Sequence, residues 1–226
     1  MSAVIQIAYT YVKQQLSNAQ FKHLQGSLPT QWQQSSFTNY GWRYQHQSLY
    51  GKLLASYLLA ANGYSLHGLY FNPYGKPMLP PPVHFSISHS GQLAACIITD
   101  CCAVGFDVEY VKPTNYSLLM RRFNQHEVLQ INSSHDALTS FYRLWTVKEA
   151  VLKGIGIGLK MPMRQIECQH SGLVKTPKGY WHIGAVGLPA GYTACVATKK
   201  PVALPGAQCI DQNILNATLP TFMAKQ

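Results

Sequence analysis

The chain has 226 residues, of which 47% are hydrophobic and only 12% are charged. This globular composition can bury a large core in one big domain or two small ones, and it excludes a disordered or collagen-like chain. Eighteen Lys and Arg against eight Asp and Glu give a net charge of +10. Such a balance favours an anionic partner: a nucleic acid, a phosphate-rich small molecule or an acidic protein.

The first residues and the cysteines predict a cytoplasmic protein. Residues 1–16 lack the compact apolar core of a secretory signal, and no apolar run approaches the roughly 20 residues of a membrane span. The six cysteines show no C-x-x-C or zinc-finger spacing, and Cys101 and Cys102 are adjacent. We therefore expect reduced, buried cysteines and no membrane association.

The first half of the chain, which we place at residues 1–103, combines short strands with one long helix. Val4 to Tyr9 alternates as a strand does. Apolar residues at three-to-four spacing predict a helix from Arg43 to Leu59. Two alternating runs, Val83 to Ser88 and Leu93 to Ile98, then predict a β-hairpin.

The second half, residues 104–226, begins with a predicted strand over Val104 to Tyr110. A capping box at Asn124 to Glu127 predicts the start of a helix. A further helix is predicted over residues 143–153, where a glycine-rich run ends it. From about residue 201 the pattern fades, and we expect a loosely packed extension.

Four charged residues in apolar surroundings are the candidates for chemistry. Asp107 and Glu109 lie two apart in a strand and share one face, either the wet face of a half-exposed strand or a shared cation site. Glu149 and Lys153 lie four apart on a helix, either as a surface ion pair or as part of a site. Three carboxylates with few nitrogen ligands suit Mg²⁺.

Two further residues, Lys76 and His89, lie in loops marked by glycine or proline, where side chains can face a ligand. Carboxylate-bound Mg²⁺ flanked by Lys and His is an arrangement that handles a pyrophosphate.

Four segments carry a resemblance to a known family. They are Gly75-Lys76-Pro77, Phe85-Ser86-Ile87-Ser88-His89-Ser90-Gly91, Val104-Gly105-Phe106-Asp107-Val108-Glu109, and Leu144-Trp145-Thr146-Val147-Lys148-Glu149-Ala150-Val151-Leu152-Lys153. With these segments the sequence resembles the 4′-phosphopantetheinyl transferases, specifically the surfactin-synthetase-activating (Sfp-like) group.

The resemblance implies an α+β fold, sandwich-like, with two pseudo-symmetric α/β subdomains in one chain and the active site in the cleft between them. It implies transfer of the phosphopantetheine arm of coenzyme A onto a serine of an apo acyl or peptidyl carrier protein, with release of 3′,5′-ADP. Carrier proteins are generally acidic around that serine. A chain of this length with internal duplication is expected to be a monomer.

The resemblance also implies roles for individual residues. Asp107, Glu109 and Glu149 would ligate Mg²⁺, Glu149 would deprotonate the carrier serine directly or through a water, and Lys153 would neutralise or protonate the leaving phosphate. The coenzyme would be contacted by residues of both halves. These are Ser88 and His89 at the 3′-phosphate region, Lys76 near the adenine end, and Lys153.

The sequence departs from the family pattern where that family grips the 3′-phosphate. Gln47 stands in the first long helix where an arginine is expected, and Gln31 and Gln34 stand upstream where lysines are expected. Arg43, one turn before Gln47, is the candidate substitute.

Two other functions compete with a transferase. A basic nucleic-acid-binding module is disfavoured because the basic residues are scattered, and we expect no nucleic-acid partner. An inactive carrier-binding scaffold is disfavoured by the complete set of charged residues above. Met120, Arg121, Arg122 and Phe123 form either a docking surface for the carrier or a helix with a core face and two solvated arginines.

Overall fold

The computed structural model describes residues 4–33, 40–169 and 172–223. In these ranges the strands form a four-stranded sheet, a five-stranded sheet and a two-stranded ribbon, with helices packed against the two larger sheets. This mixed architecture confirms a fold that combines α and β elements.

The long predicted elements all form, with bounds that differ by a few residues. The helices are α1 Asn18–Gly26, α2 Thr30–Gln33, α3 Trp42–Ala61, α4 Gln125–Asn132, α5 Ala137–Ile155 and α6 Gln212–Met223. The strands are β1 Ile5–Tyr11, β2 Tyr70–Phe71, β3 Pro77–Met78, β4 His84–Ser90, β5 Leu93–Thr99, β6 Val104–Tyr110, β7 Glu167–Cys168, β8 Leu173–Thr176, β9 Gly179–Ala185, β10 Tyr192–Thr198 and β11 Gln208–Cys209. Three 3-10 turns cover Leu119–Arg122, Gly158–Lys160 and Met163–Gln165.

The four-stranded sheet has the order β11-β1-β5-β4 and carries α3 on one face. The predicted hairpin is β4 and β5, which pair antiparallel with Phe85 opposite Ile98. Gly51 allows α3 to approach β4 closely, because a Cβ at this position would strike the side chain of Ile87. The helix therefore lies directly over the strand that carries His89.

The five-stranded sheet has the order β6-β10-β9-β8-β7 and packs against α5. Gly105 of β6 allows this contact, because a Cβ there would collide with the carbonyl oxygen of Ala150 and with the backbone of Gly154. Residues two apart in a strand share a face. Asp107 therefore follows Gly105 on the face that α5 covers.

The edge strands β4 and β6 are joined through serine side chains. Each alternate serine of β4 accepts a hydrogen bond from a backbone N–H of β6, so the hydroxyls act in place of a backbone ladder. The three bonds are Phe106 N to Ser86 Oγ at 3.0 Å, Val108 N to Ser88 Oγ at 3.1 Å and Tyr110 N to Ser90 Oγ at 3.1 Å. The pairing fixes the two sheets relative to each other at the strands that carry the charged residues.

The segment after residue 201 corrects the expectation of a loosely packed extension in the second half. Its strand β11 pairs parallel with β1, and its helix α6 packs on α3. Ile210 and Leu215 are buried in the core of the first sheet, and Tyr50 Oη donates to Asn216 Oδ1 at 3.2 Å. Pairing covers the edge of β1, which would otherwise present unpaired backbone groups.

All six cysteines are free. Cys96, Cys102 and Cys195 are buried as expected, but Cys168 and Cys209 are exposed. None of the described helices is both long and apolar enough to cross a membrane.

Candidate active site

Helix α5 positions two of the predicted residues. It begins six residues before the predicted start, where the side chain of Asp136 accepts a hydrogen bond from Thr139 N at 2.9 Å. It ends at Ile155 and is capped by Gly156, whose φ of 80° suits glycine. Glu149 and Lys153 lie one turn apart near this end and face a cleft of about 420 Å³.

The cleft is lined by α3, β4, the loop before β3 and the end of α5. Its charged or polar lining residues include Tyr44, Ser48, Lys52, Lys76, His89, Glu149 and Lys153. Aromatic residues, among them Trp32 and Phe85, line it as well. A concave site with an apolar wall and a few convergent polar groups is typical of a small-molecule site.

Asp107 lies behind this cleft and is only 4% exposed, so it is not on a wet strand face. Its Oδ1 accepts hydrogen bonds from Lys153 Nζ at 2.7 Å and from Ser88 Oγ at 3.0 Å. Its Oδ2 is buried without a hydrogen-bond partner among the described residues. Burial raises the pKa of Asp107, and the charge of Lys153 opposes that rise.

Lys153 therefore pairs with the strand carboxylate rather than with Glu149 in a surface pair. Burial, and then the charge of Asp107, raise the pKa of Glu149 to about 7. Burial and Asp107 also raise the pKa of Glu109, whose Oε2 accepts from Ser90 Oγ at 2.7 Å. The three carboxylates thus act on one another electrostatically.

These carboxylates can be tested as ligands for a hard cation. Within the described ranges, no three or more His, Cys, Asp and Glu side chains are preassembled as a metal cluster. The donor chemistry nevertheless fits a hard cation. Oδ2 of Asp107 is buried without a hydrogen-bond partner among the described residues, and burial together with Asp107 disfavours the charged forms of Glu109 and Glu149, whose pKa values are raised. Oxygen donors of this kind are what Mg²⁺ prefers.

His89 and Lys76 both line the cleft. The His89 ring meets the Tyr44 ring edge-on at 4.9 Å, and burial, followed by the charge of Lys153, lowers the pKa of His89 to about 4. Lys76 Nζ donates to the carbonyl oxygens of Val104 and Gly154, each at 3.2 Å, and burial lowers its pKa to about 8.

Other predicted coenzyme contacts are not brought into the cleft. Ser88 is buried behind it, where its hydroxyl serves Asp107 and Val108. Arg43 is exposed and lies over the Trp42 ring at 5.0 Å, outside the cleft lining.

Gln31 and Gln47 do not line the cleft either. Gln47 is buried and donates to the Gly91 carbonyl oxygen at 2.9 Å. Gln31 lies exposed on α2, and Gln34 is outside the described residues.

Sequence reasoning missed a cation on the first helix. Tyr44, Ser48 and Lys52 repeat every four residues along α3, so all three face the cleft, whereas Arg43 and Gln47 each lie one residue away from that face. Lys52 Nζ donates to the Trp32 carbonyl oxygen at 3.2 Å, and burial lowers its pKa to about 8. The four-residue spacing was the signal that could have identified it.

Comparison with known proteins identifies the family. A model described as the 4′-phosphopantetheinyl transferase superfamily matches residues 103–186. A 4′-phosphopantetheinyl transferase of Bacillus subtilis is 34% identical over 158 residues, which cover 66% of this chain and 66% of that protein. The 4′-phosphopantetheinyl transferase gsp of Aneurinibacillus migulanus is 28% identical over 71% of this chain and 69% of its own length.

A third relative is the 4′-phosphopantetheinyl transferase Sfp of Bacillus subtilis strain 168. It is 37% identical over 94 residues, or 40% of this chain and 42% of that protein. The alignments thus span about two thirds of the first two relatives and less than half of the third. The chain belongs to the 4′-phosphopantetheinyl transferase superfamily, and the shared name of its relatives supports that enzymatic activity.

Proposed function

We propose that the protein transfers the 4′-phosphopantetheine arm of coenzyme A to a serine of an apo acyl or peptidyl carrier protein and releases 3′,5′-ADP. One observation supports this most directly. Lys153 Nζ lies 2.7 Å from the buried Asp107, and Lys153 and Glu149 line a cleft that also holds Lys52, Lys76 and His89. The cleft therefore combines basic side chains that can bind phosphate groups with carboxylates that can bind a metal cation or accept a proton.

The transfer requires little covalent chemistry from the protein. The serine Oγ forms a bond to the phosphorus attached to the pantetheine arm, and the bond from this phosphorus to the bridging oxygen of the pyrophosphate breaks. The serine proton passes to Glu149, whose pKa of about 7 suits a base near neutral pH. Lys153 lies ready to neutralise the leaving phosphate, because transfer of this kind depends mainly on positioning and charge.

Asp107, Glu109 and Glu149 would hold Mg²⁺. When bound, Mg²⁺ would neutralise charge on the pyrophosphate oxygens. The serines of β4 support this arrangement, since Ser88 and Ser90 donate to Asp107 and Glu109 and fix the orientation of both carboxylates. Orientation of metal ligands by neighbouring hydrogen bonds is common.

Lys52 is our candidate for the 3′-phosphate in place of Gln47 and Arg43. It reaches the cleft near Trp32, whose ring contacts Phe85 on β4 edge-on at 5.9 Å. Lys153 contacts the same strand farther along, at Ser88. Lys52 and Lys153 thus lie near different positions along β4. This separation suits a ligand that carries a pyrophosphate and a distant phosphate.

The division into two pseudo-symmetric halves around the cleft is also a proposal. It is supported by one long helix against each large sheet, α3 with 20 residues and α5 with 19. We further propose that the protein acts as a monomer in the cytoplasm.

The test combines the protein, coenzyme A, Mg²⁺ and purified apo carrier proteins of the acyl and peptidyl classes. Mass spectrometry should show the carrier gaining one phosphopantetheine arm, and a chelator of divalent cations should stop the gain. No gain with any carrier, or full activity of Asp107→Ala, would contradict the proposed function.

A further inference from the structure

A second concavity lies near the active site and shares no lining residue with the cleft. It has a volume of about 290 Å³ and is enclosed by the 3-10 turn Leu119–Arg122 and by residues 161–164. Three of its lining residues are arginines, Arg121, Arg122 and Arg164, and all three are exposed. Two methionines and a proline complete the lining. We call this concavity the arginine pocket.

Both walls of the arginine pocket are held by one buried lysine. Lys148 of α5 is fully buried, and its Nζ donates to the carbonyl oxygens of Met163 at 2.9 Å and Ile166 at 2.7 Å, which fixes one wall. The same Nζ forms an ion pair with Glu127 Oε1 at 2.8 Å.

Glu127 connects Lys148 to the other wall of the arginine pocket. Its Oε2 accepts from Asn124 N at 3.0 Å in the capping box of α4, which directly follows the turn bearing Arg121 and Arg122. Phe123, predicted as part of a docking surface, is only 5% exposed and anchors the turn in the core instead. The pocket is thus built on fixed backbone rather than on a free loop.

Ion pairs do not neutralise the positive charge of the pocket within the described part of the chain. None of the three arginines forms an ion pair with a carboxylate there. Arginine and methionine are also enriched at protein–protein interfaces. Leu118, just before the turn, is 69% exposed and supplies an apolar contact beside the charges.

The arginine pocket adjoins the reactive carboxylates. The Arg122 guanidinium lies over the Trp145 ring at 5.8 Å, and the Trp145 side chain hydrogen-bonds to Glu109. Glu149, which lines the cleft, is one turn along the same helix from Trp145. A protein seated on the arginines would therefore lie next to the site where its serine must react.

We propose that the arginine pocket is the docking surface for acidic side chains of the carrier protein. The inference rests on the proposed function and specifies which surface of the enzyme receives the second substrate. Guanidinium groups bind carboxylates through paired hydrogen bonds, and complementary charge speeds encounter and fixes orientation.

The test uses charge reversal at the two arginines that do not touch the carboxylate site, Arg121→Glu and Arg164→Glu. Each variant should raise the KM for an acidic carrier about tenfold at low salt. The kcat at saturating carrier and the KM for coenzyme A should remain as in the wild type. Lys22→Glu, an exposed residue of α1, changes the net charge equally and should leave the carrier KM unchanged.

A reciprocal change provides rescue. A carrier in which one acidic residue near the serine is replaced by lysine should be a poor substrate for the wild type and a better one for Arg164→Glu. Unchanged carrier KM in both arginine variants, with an active wild type, would overturn the docking proposal alone. A changed KM for coenzyme A would also overturn it, since the pocket would then serve the coenzyme. A wild type inactive on every carrier would instead overturn the proposed function.

Discussion

Two lysines five residues apart on α5 show how one helix uses the same side chain in two ways. Lys148 is fully buried and its ammonium group meets Glu127 and two backbone carbonyl oxygens. Lys153 keeps 31% of its side chain exposed and lines the cleft while it contacts Asp107. Lys148 is therefore enclosed by protein groups, whereas Lys153 is accessible to a ligand in the cleft.

The difference arises from what each lysine faces. Lys148 donates to two backbone carbonyl oxygens and forms an ion pair with Glu127, so its described partners all belong to the protein. Lys153 contacts Asp107, which we propose as a ligand of Mg²⁺. If Asp107 turned towards a bound cation, phosphate oxygens would replace part of the contact between Asp107 and Lys153. The motif that contains both lysines does not distinguish them, but burial does.

The largest expected effect comes from the buried lysine. Lys148→Met should lower the free energy of unfolding by about 3–5 kcal/mol, because Glu127 would remain buried without its counter-charge. Urea denaturation followed by circular dichroism measures this change. The variant should keep the coenzyme affinity of the wild type wherever it remains folded.

The control for this prediction is the double variant Lys148→Met/Glu127→Gln. Glutamine keeps the capping box of α4 but removes the unpaired charge, so most of the lost stability should return. If the double variant were as unstable as the single one, the ion pair would not be the source of the effect.

The half-buried lysine, Lys153, should affect the rate more than the stability. Lys153→Met should lower kcat about 10²–10³-fold, the typical cost of removing one donor that stabilises developing charge. Steady-state transfer to an apo carrier measures kcat. The unfolding midpoint should fall less than in Lys148→Met, because Asp107 loses its counter-charge but burial raises its pKa and favours its neutral form. Lys178→Met, at an exposed turn between β8 and β9, is the matched control and should retain full activity. Comparable losses in both variants would remove the special role of Lys153.

Local pattern explains which of these features the sequence could predict. The capping box at Asn124, the helix carrying Glu149 and the hairpin of β4 and β5 depend on residues close in sequence, and all three were predicted correctly. The shared face of Asp107 and Glu109 follows from strand alternation in the same way.

Features that depend on distant segments were missed. The partners of Lys148 lie 15 and 18 residues later and on another helix, so its burial could not be read from α5. The packing of β11 on β1 joins opposite ends of the chain. Lys52 was overlooked for a different reason, since the face of α3 that meets the cleft is set by tertiary packing, and Arg43 does not line the cleft.

Lys52 resembles Lys153 rather than Lys148, because it is half-buried and lines the cleft. Lys52→Met should raise the KM for coenzyme A about tenfold, or about 1.4 kcal/mol, with little change in kcat. Coenzyme A lacking the 3′-phosphate separates the roles, since wild type and variant should use it equally. Lys22→Met is the control on the surface of α1. An equal loss with both forms of the coenzyme would show that Lys52 does not contact the 3′-phosphate.

The smallest effect concerns pH and tests how the charge of Lys153 acts on its neighbours. The pKa of His89 is lowered to about 4, so the unfolded chain binds the proton first as the pH falls. The contribution of neutral His89 to the free energy of unfolding is therefore complete above about pH 6.5 and is lost as the pH falls towards 4. Glu149 acts in the opposite sense, because its pKa of about 7 lets the folded state take up a proton before the unfolded state does.

Comparing wild type with His89→Gln isolates the histidine from this opposing contribution. Between pH 7 and pH 5.5 the wild type should lose about 1 kcal/mol of stability relative to the variant. Urea titrations at both pH values measure the difference, and the same pair in a Lys153→Met background should show a smaller one. A difference independent of pH would mean that His89 is not kept neutral by its surroundings. A difference unchanged in the Lys153→Met background would mean that burial alone lowers the pKa, and that the charge of Lys153 is directed at the carboxylates and not at the histidine.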